Sequence, residues 1–267
     1  MIDSTAVRLQ EAKELVERRD FVWHQRFELV PGVFTPGRND VHWLLDLASV
    51  PADLSGKTVL DVGTSNGGAA FLLERKGAER VVAVDLSDDE KWGFADLQSF
   101  LRSRVEFVRS DVYDLERALG GEKFDLVLCW GVLYHVRHPL LALEALRAVT
   151  REHAWIETAV SDGELGPGVS DLAVAQFYRK AFAGDGSNWF VPTVRALADW
   201  CVSSGLTPTN VTVWPRERHG RAMVALVRAP GVPEHLAWDR WRDGDTEPEG
   251  DEAMPPVRVV DAFPTSS

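Results

Sequence analysis

The sequence predicts an α/β fold, a doubly wound seven-stranded mixed sheet whose last strand runs antiparallel, entered through an N-terminal helical lid. Three observations carry that expectation. Between residues 57 and 160 short apolar runs alternate with helical stretches, the pattern of βαβ units whose parallel sheet is covered on both faces. Two later strand-like runs, "TNVTVWP" and "RAMVALVRA", have no helix between them and should pair as an antiparallel hairpin. Ahead of the first strand, residues 5–19 place Leu9, Ala12 and Val16 on one helical face among charged neighbours.

Taken in order, the amphipathic helix is followed by "RFELVPGVFTPGRND", whose prolines and glycines read as extended chain and turns, a lid over something. The alternating region then gives strand "KTVLDVG", helix "GGAAFLLERKG", strand "RVVAVDL", a helix near 89–102, strand "RVEFVRS" and a short helix from Val112 to Leu119. Strand "KFDLVLCWG", helix "PLLALEALRAVT" and strand "HAWIETAV" complete five parallel strands. Residues 161–190 are glycine-rich and irregular apart from an expected helix around "LAVAQFYRKAFA", and a further helix runs from Val194 to Ser204 before the hairpin. The expected segments are therefore a helix and lid over 1–50, the sheet domain over 51–230 with an acceptor-side insertion at 161–190, and an acidic tail over 231–267. Within it the stretch "DGDTEPEGDEAMPP", acidic and rich in Pro and Gly, reads as a mobile strap.

Composition narrows the function. The chain is 45% hydrophobic and 26% charged, with no apolar run of the roughly 18 residues a membrane span needs. The N-terminus lacks a basic stretch leading into an apolar core, so no signal peptide is expected and the location is read as cytoplasmic. Two cysteines, Cys129 in a strand and Cys201 in a helix, form no CxxC pair, which suits a reducing compartment without disulfide or zinc. The net charge is -12, and the tail, with nine acids and three bases, accounts for only half of it. Nucleic-acid binders usually show a basic footprint, so an acidic body disfavours that class.

In doubly wound sheets ligands bind beyond the carboxyl ends of the strands. The first strand ends in "DVGTSNGG", where Asp61, Gly63, Ser65 and Gly67 make a tight turn into a helix N-terminus. The second ends at Asp85 and Leu86, with Asp85 placed to hold a ribose diol; the third ends at "SDV", which offers Asp111 and Val112 to an adenine. A dinucleotide site calls for G-x-G-x-x-G, whereas this loop is G-x-S-x-G behind an acid. Such a loop suits the cation S-adenosylmethionine (SAM) better than a pyrophosphate and makes a Rossmann-like NAD enzyme the weaker reading.

The run from "LDVG" through "VVAVDL" and "SDV" to "FDLVLCWGVLYH" resembles a class I SAM-dependent methyltransferase over about residues 40–228. More narrowly, "GVLYHVRHPLLAL", "ETAVSDGE", "NWFVP", "RAMVALVRAP" and "WHQRFELVPGVFTPG" resemble the tRNA wobble-uridine carboxymethyltransferases and their small-molecule relatives. The resemblance implies that Asp61, Gly63 and Gly67 surround the methionine moiety, that Asp85 meets the ribose and that Asp111 lies near the adenine, with Ser65, Leu86, Val112 and Trp130 in the same strand-end segments. It also implies that Tyr134 and Arg221 stand where the carboxymethyltransferases hold the extra carboxylate of carboxy-SAM. The lysine that completes their clamp is matched here by Gln25, so plain SAM is the expected cofactor.

Methyl transfer is an in-line displacement, and a hydroxyl acceptor must lose its proton as it attacks. His135, where the fourth apolar strand surfaces, has an ordinary pKa suited to a general base at neutral pH, with Tyr134 beside it. His138 before Pro139 reads as a helix start, and with no third ligand nearby no metal site is expected. Glu157, Asp162, His24 and Trp189 are further candidates for the acceptor side, with Arg221. The expected function is methylation of a small-molecule hydroxyl, of a sugar or secondary metabolite. A wobble-uridine tRNA modifier and a non-catalytic SAM-binding interaction protein are the alternatives. Expected partners are a small-molecule substrate and, as an option, a second copy in a homodimer; neither nucleic acid nor membrane is expected.

Overall fold

In a computed structural model of the chain, the described residues are 4–18, 20–162, 171–179, 185–216, 219–230 and 254–260. They fall into two compact units, residues 1–111 and 112–267, so the division lies inside the expected sheet domain.

The first unit begins with helix α1 (Ser4–Val16), which buries Ala12 and Leu15. The proline- and glycine-rich stretch forms short strands: β1 (Gln25–Arg26) pairs with β4 (Asn39–Asp40), and β2 (Glu28–Val30) pairs with β3 (Val33–Phe34). Helix α2 (Val41–Leu47) was not expected. Asp40 caps it by accepting from the Trp43 N–H at 3.1 Å, and Val41, Leu44 and Leu45 are buried. Strands β5 (Thr58–Val62), β6 (Arg80–Asp85) and β7 (Glu106–Arg109) run parallel in that spatial order, joined through α3 (Gly68–Arg75) and α4 (Phe94–Leu101). Phe71 and Phe94 pack with ring centroids 5.0 Å apart, and Phe107 lies 4.9 Å from Phe94. These rings fill the space under the loop that leaves β5.

In the second unit a 3-10 turn (Val112–Asp114) and α5 (Leu115–Ala118) lead into β8 (Phe124–Trp130), buried along six of its residues. A 3-10 turn (Leu133–His135) and α6 (Pro139–Val149) follow, with His138 at the N-cap and Pro139 at the first helical position as expected. Strand β9 (Thr150–Val160) is parallel to β8. Next come β10 (Ala175–Phe177), β11 (Phe190–Pro192), α7 (Val194–Ser203), β12 (Leu206–Arg216), β13 (His219–Arg228) and β14 (Val257–Val259). Strand β13 is antiparallel to both β12 and β9, which is the hairpin read from sequence. The seven expected strands are all present, and the Rossmann-like α/β class holds.

One expectation needs correction. The stretch around 172–183 is not helical where it is described, because Ala175–Phe177 pairs antiparallel with Phe190–Pro192 and the Phe177 ring lies 5.1 Å from Phe190. A strand edge with an aromatic partner outcompetes the local helix propensity; residues 180–184 lie outside the described residues. Beyond the expected seven, Val257–Val259 in the tail adds an eighth strand, parallel to β12. Most of 231–267 lies outside the described residues. No helix among the described residues is long and apolar enough to cross a membrane.

Candidate functional site

Adjacent parallel strands bring the carboxyl ends of β5, β6 and β7 to one edge of the first unit, where most of the expected cofactor residues lie. Gly63, Ser65 and Gly67 all adopt left-handed backbone, with φ of 78°, 53° and 83°. For Ser65 that conformation carries a strain of about 1 kcal/mol or more, a cost found chiefly at binding and catalytic sites. Its N–H donates to Asp85 Oδ2 at 2.9 Å, while the Ser87 N–H donates to Oδ1 at 2.9 Å. At Gly67 a Cβ would meet the Phe71 and Phe94 rings at 2.6–2.7 Å, so the glycine makes room for the core below the loop.

Asp61 faces inward at 3% exposure, accepts from Thr64 Oγ1 at 2.7 Å and also accepts from the Ala70 N–H. Burial pushes its carboxyl up to about 6; the two donors oppose the rise and nearby Asp85 adds to it. Leu86 is exposed at the end of β6, and Asp111 is half-buried just past β7.

Sequence reasoning missed Asn66, which fastens the lid to this loop. Its Oδ1 accepts from the His24 and Gln25 N–H groups at 2.8 and 2.9 Å, and its Nδ2 donates to the Val22 and Trp92 carbonyls at 2.8 and 2.7 Å. Gln25, the position matched to the clamp lysine, accepts at Oε1 from the Gly68 N–H at 2.7 Å and so caps α3. The His24 imidazole is exposed and meets the Asn39 side-chain amide.

In the second unit the ends of β8 and β9 and the start of β13 share an edge, since Gly220 pairs with Val160. Arg221 lies opposite Ala159 and reaches diagonally along the same face to Glu157, which it grips through Nε and Nη2. Both are buried, at 8% and 4% exposure. The guanidinium carbon sits 4.8 Å from the centroid of the Tyr134 ring, and Tyr134 packs with Tyr178 on Ala159 and Val191. Burial alone would lower the Arg221 pKa, but Glu157 and Tyr134 outweigh it and hold it above its ordinary value.

The His135 ring lies 4.3 Å from Tyr134, and its Nδ1 is 3.0 Å from Ser187 Oγ. Burial lowers the His135 pKa below the usual histidine value and Arg221 adds to that, while Asp185 and a hydrogen bond to the Ser187 backbone oppose it. Trp189 donates its N–H to the Tyr134 carbonyl at 2.8 Å and carries Arg137 4.6 Å over its ring, so it shores up the turn that bears His135. Asp162 accepts from the Val194 N–H at 2.9 Å and serves the start of α7; burial raises its carboxyl. Val112 is buried, and the Trp130 Nε1 is buried with no hydrogen-bond partner.

The first unit's loop fits SAM on its own features. The Ser65 hydroxyl is buried without a partner, the Asp85 carboxylate stands at the strand end where a diol is held, and the helix behind Gly67 starts with backbone donors. A methyltransferase-domain family model matches residues 22–211. The tRNA U34 carboxymethyltransferase of Campylobacter hominis is 33% identical over 151 residues, 56% of this chain and 50% of that protein. The enzyme of the same name from Pseudomonas aeruginosa is 33% identical over 212 residues, 76% of this chain and 61% of its own length. The chain thus spans about half to three-fifths of the curated relatives it matches. Among solved structures, the N-terminal domain of EvdMO1 with SAH bound has a TM-score of 0.58 at 21% identity, covering 86% of this chain and 98% of that one. The Burkholderia thailandensis 1,6-didemethyltoxoflavin-N1-methyltransferase, with its acceptor and SAH bound, has a TM-score of 0.51 at 25% identity, covering 70% and 81%. With a family model spanning well over half its length, the chain belongs to the methyltransferase-domain family.

Proposed function

We propose that the enzyme methylates a hydroxyl of a small-molecule acceptor, a sugar or secondary metabolite, with His135 as the general base. The observation that carries this reading is the His135 imidazole at the end of β8, held at Nδ1 and lowered in pKa, hence neutral and able to accept a proton at pH 7. SAM, when bound, supplies an electrophilic methyl group on a sulfonium. As the acceptor oxygen attacks, its O–H becomes strongly acidic, so even a weakened imidazole base takes the proton at Nε2. Tyr134, Glu157 and Arg221 shape the wall beside that imidazole, with Trp189 behind it. Asp61, Gly63, Ser65, Gly67, Asp85, Leu86 and Asp111 of the first unit are assigned to the cofactor.

Plain SAM is the donor in this reading. Arg221 already holds a carboxylate of its own chain in a two-point grip, and Gln25 supplies no cation. The net charge of -12 supports a small acceptor over tRNA, whose phosphates ask for a basic surface. The names of the curated relatives favour tRNA as the second reading. Incubation with methyl-labelled SAM and a cell extract split into small molecules, protein and total tRNA decides between them. Label is expected in the small-molecule fraction; label in tRNA overturns the acceptor class, and label in none favours a non-catalytic SAM-binding protein.

Asp61 gives a separate check on the cofactor assignment. Its pKa stands at about 6 against an ordinary 3.8, so ionisation costs the cofactor-free fold on the order of 3 kcal/mol. The sign follows from linkage: that cost is absent below 3.8 and complete above about 6. A bound cation favours the carboxylate, so SAM affinity should be level above pH 7 and weaken as pH falls through 6, by up to about tenfold per pH unit. Calorimetric titration should show this dependence flattened in Asp61→Asn; the same dependence in that variant removes Asp61 from the site.

A further inference from the structure

We infer that Ser187 and Asp185 are positioning residues that fix the tautomer of His135. The inference rests on the reading of His135 as base, and it concerns two residues that no sequence motif singled out. The Ser187 hydroxyl lies 2.6 Å from Asp185 Oδ1, which also accepts the Ser187 N–H at 2.8 Å. A serine hydroxyl has one proton, and the carboxylate accepts it. Toward the His135 Nδ1, 3.0 Å away, the hydroxyl therefore only accepts, so Nδ1 carries the ring proton and Nε2 keeps its lone pair. The relay leaves the basic nitrogen bare and restricts rotation of the ring. The groups facing His135 are Asp185, the Ser187 backbone, the Glu157-paired Arg221 and the Tyr134 ring; Asp185 and the Ser187 backbone raise the imidazole pKa and Arg221 lowers it. During transfer the acceptor proton arrives at Nε2, and the imidazolium so formed is stabilised through Ser187 by the Asp185 charge.

Ser187 and Asp185 are both exposed, so their substitution should leave folding intact. In the cofactor-free protein with 15N-labelled histidine, long-range proton–nitrogen correlation at pH 8 is expected to show His135 protonated at Nδ1 and bare at Nε2. Ser187→Ala should give a mixture of tautomers, and Ser187→Thr, which keeps the hydroxyl, should restore the wild-type spectrum. With labelled SAM and the accepting extract fraction, Ser187→Ala should lower kcat roughly tenfold, the worth of one hydrogen bond, with SAM affinity unchanged. Asp185→Asn should move the acid limb of the kcat profile to lower pH, because the charge that raises the imidazole pKa is gone. A His135 protonated at Nε2 in the wild type, or a spectrum unmoved by Ser187→Ala, overturns the relay. The expected tautomer combined with unchanged turnover in His135→Ala overturns the base assignment instead, so the two failures are told apart.

Discussion

Glu157→Ala is expected to destabilise the protein by about 3–5 kcal/mol, the largest stability effect of any single side chain considered. The pair it breaks is nearly dry, with Glu157 at 4% and Arg221 at 8% exposure, so solvent does not take over when the carboxylate goes. The loss is mostly the penalty of a guanidinium left buried and uncompensated. For that reason the double variant Glu157→Leu, Arg221→Met should lie much closer to wild type than either single change, since removing both charges removes the penalty along with the attraction. Urea unfolding of the two single variants and the double provides the cycle. A Glu157→Ala cost below about 1 kcal/mol, the range of exposed ion pairs, would mean that water reaches the pair. The functional consequence lies in the Tyr134 ring, which the guanidinium overlies at 4.8 Å and which abuts His135. The double variant should therefore fold, yet turn over more slowly than wild type.

The parts of the molecule that could be read from sequence are those specified locally. Buried parallel strands announce themselves as apolar runs, and β5, β6, β8 and β9 appear where those runs lie. The tight G-x-S-x-G turn into a helix was readable from its glycines, although the spacing could not show that Gly67 clears space for Phe71 and Phe94. Strand β10 was misread because its partner, Phe190–Pro192, lies beyond an irregular stretch, and pairing over that distance leaves no periodic trace. The contacts around His135 and Arg221 were hidden for the same reason. His135 and Ser187 are 52 positions apart, and Glu157 and Arg221 are 64 apart. "DGSN" at 185–188 carries a turn signal, which predicts the local loop but not the imidazole it reaches. Asn66 shows the limit from the other side, for a loop residue read as spacing turned out to bind the lid through three hydrogen bonds and Trp92 through a fourth.

His135→Ala should lower kcat by about 10²- to 10⁴-fold, the usual worth of a positioned general base, while SAM binding stays at the wild-type level. The split matters because the proposed cofactor contacts lie mainly on the β5, β6 and β7 loops and none of them is made by His135. Burial and Arg221 together place the imidazole pKa below the usual value, so wild-type turnover should already be flat between about pH 7 and 8 and fall only at lower pH. That acid limb should vanish from the residual activity of His135→Ala. The size of the loss also reports on the acceptor. A hydroxyl needs its proton removed during attack and depends on the base, whereas a neutral amine carries its own lone pair and loses its proton afterwards. A variant with near-normal turnover and an unchanged pH profile would therefore remove His135 from the chemistry and point to a nitrogen acceptor. A loss of two orders of magnitude or more, with the acid limb gone, would tie the proton of an attacking hydroxyl to His135.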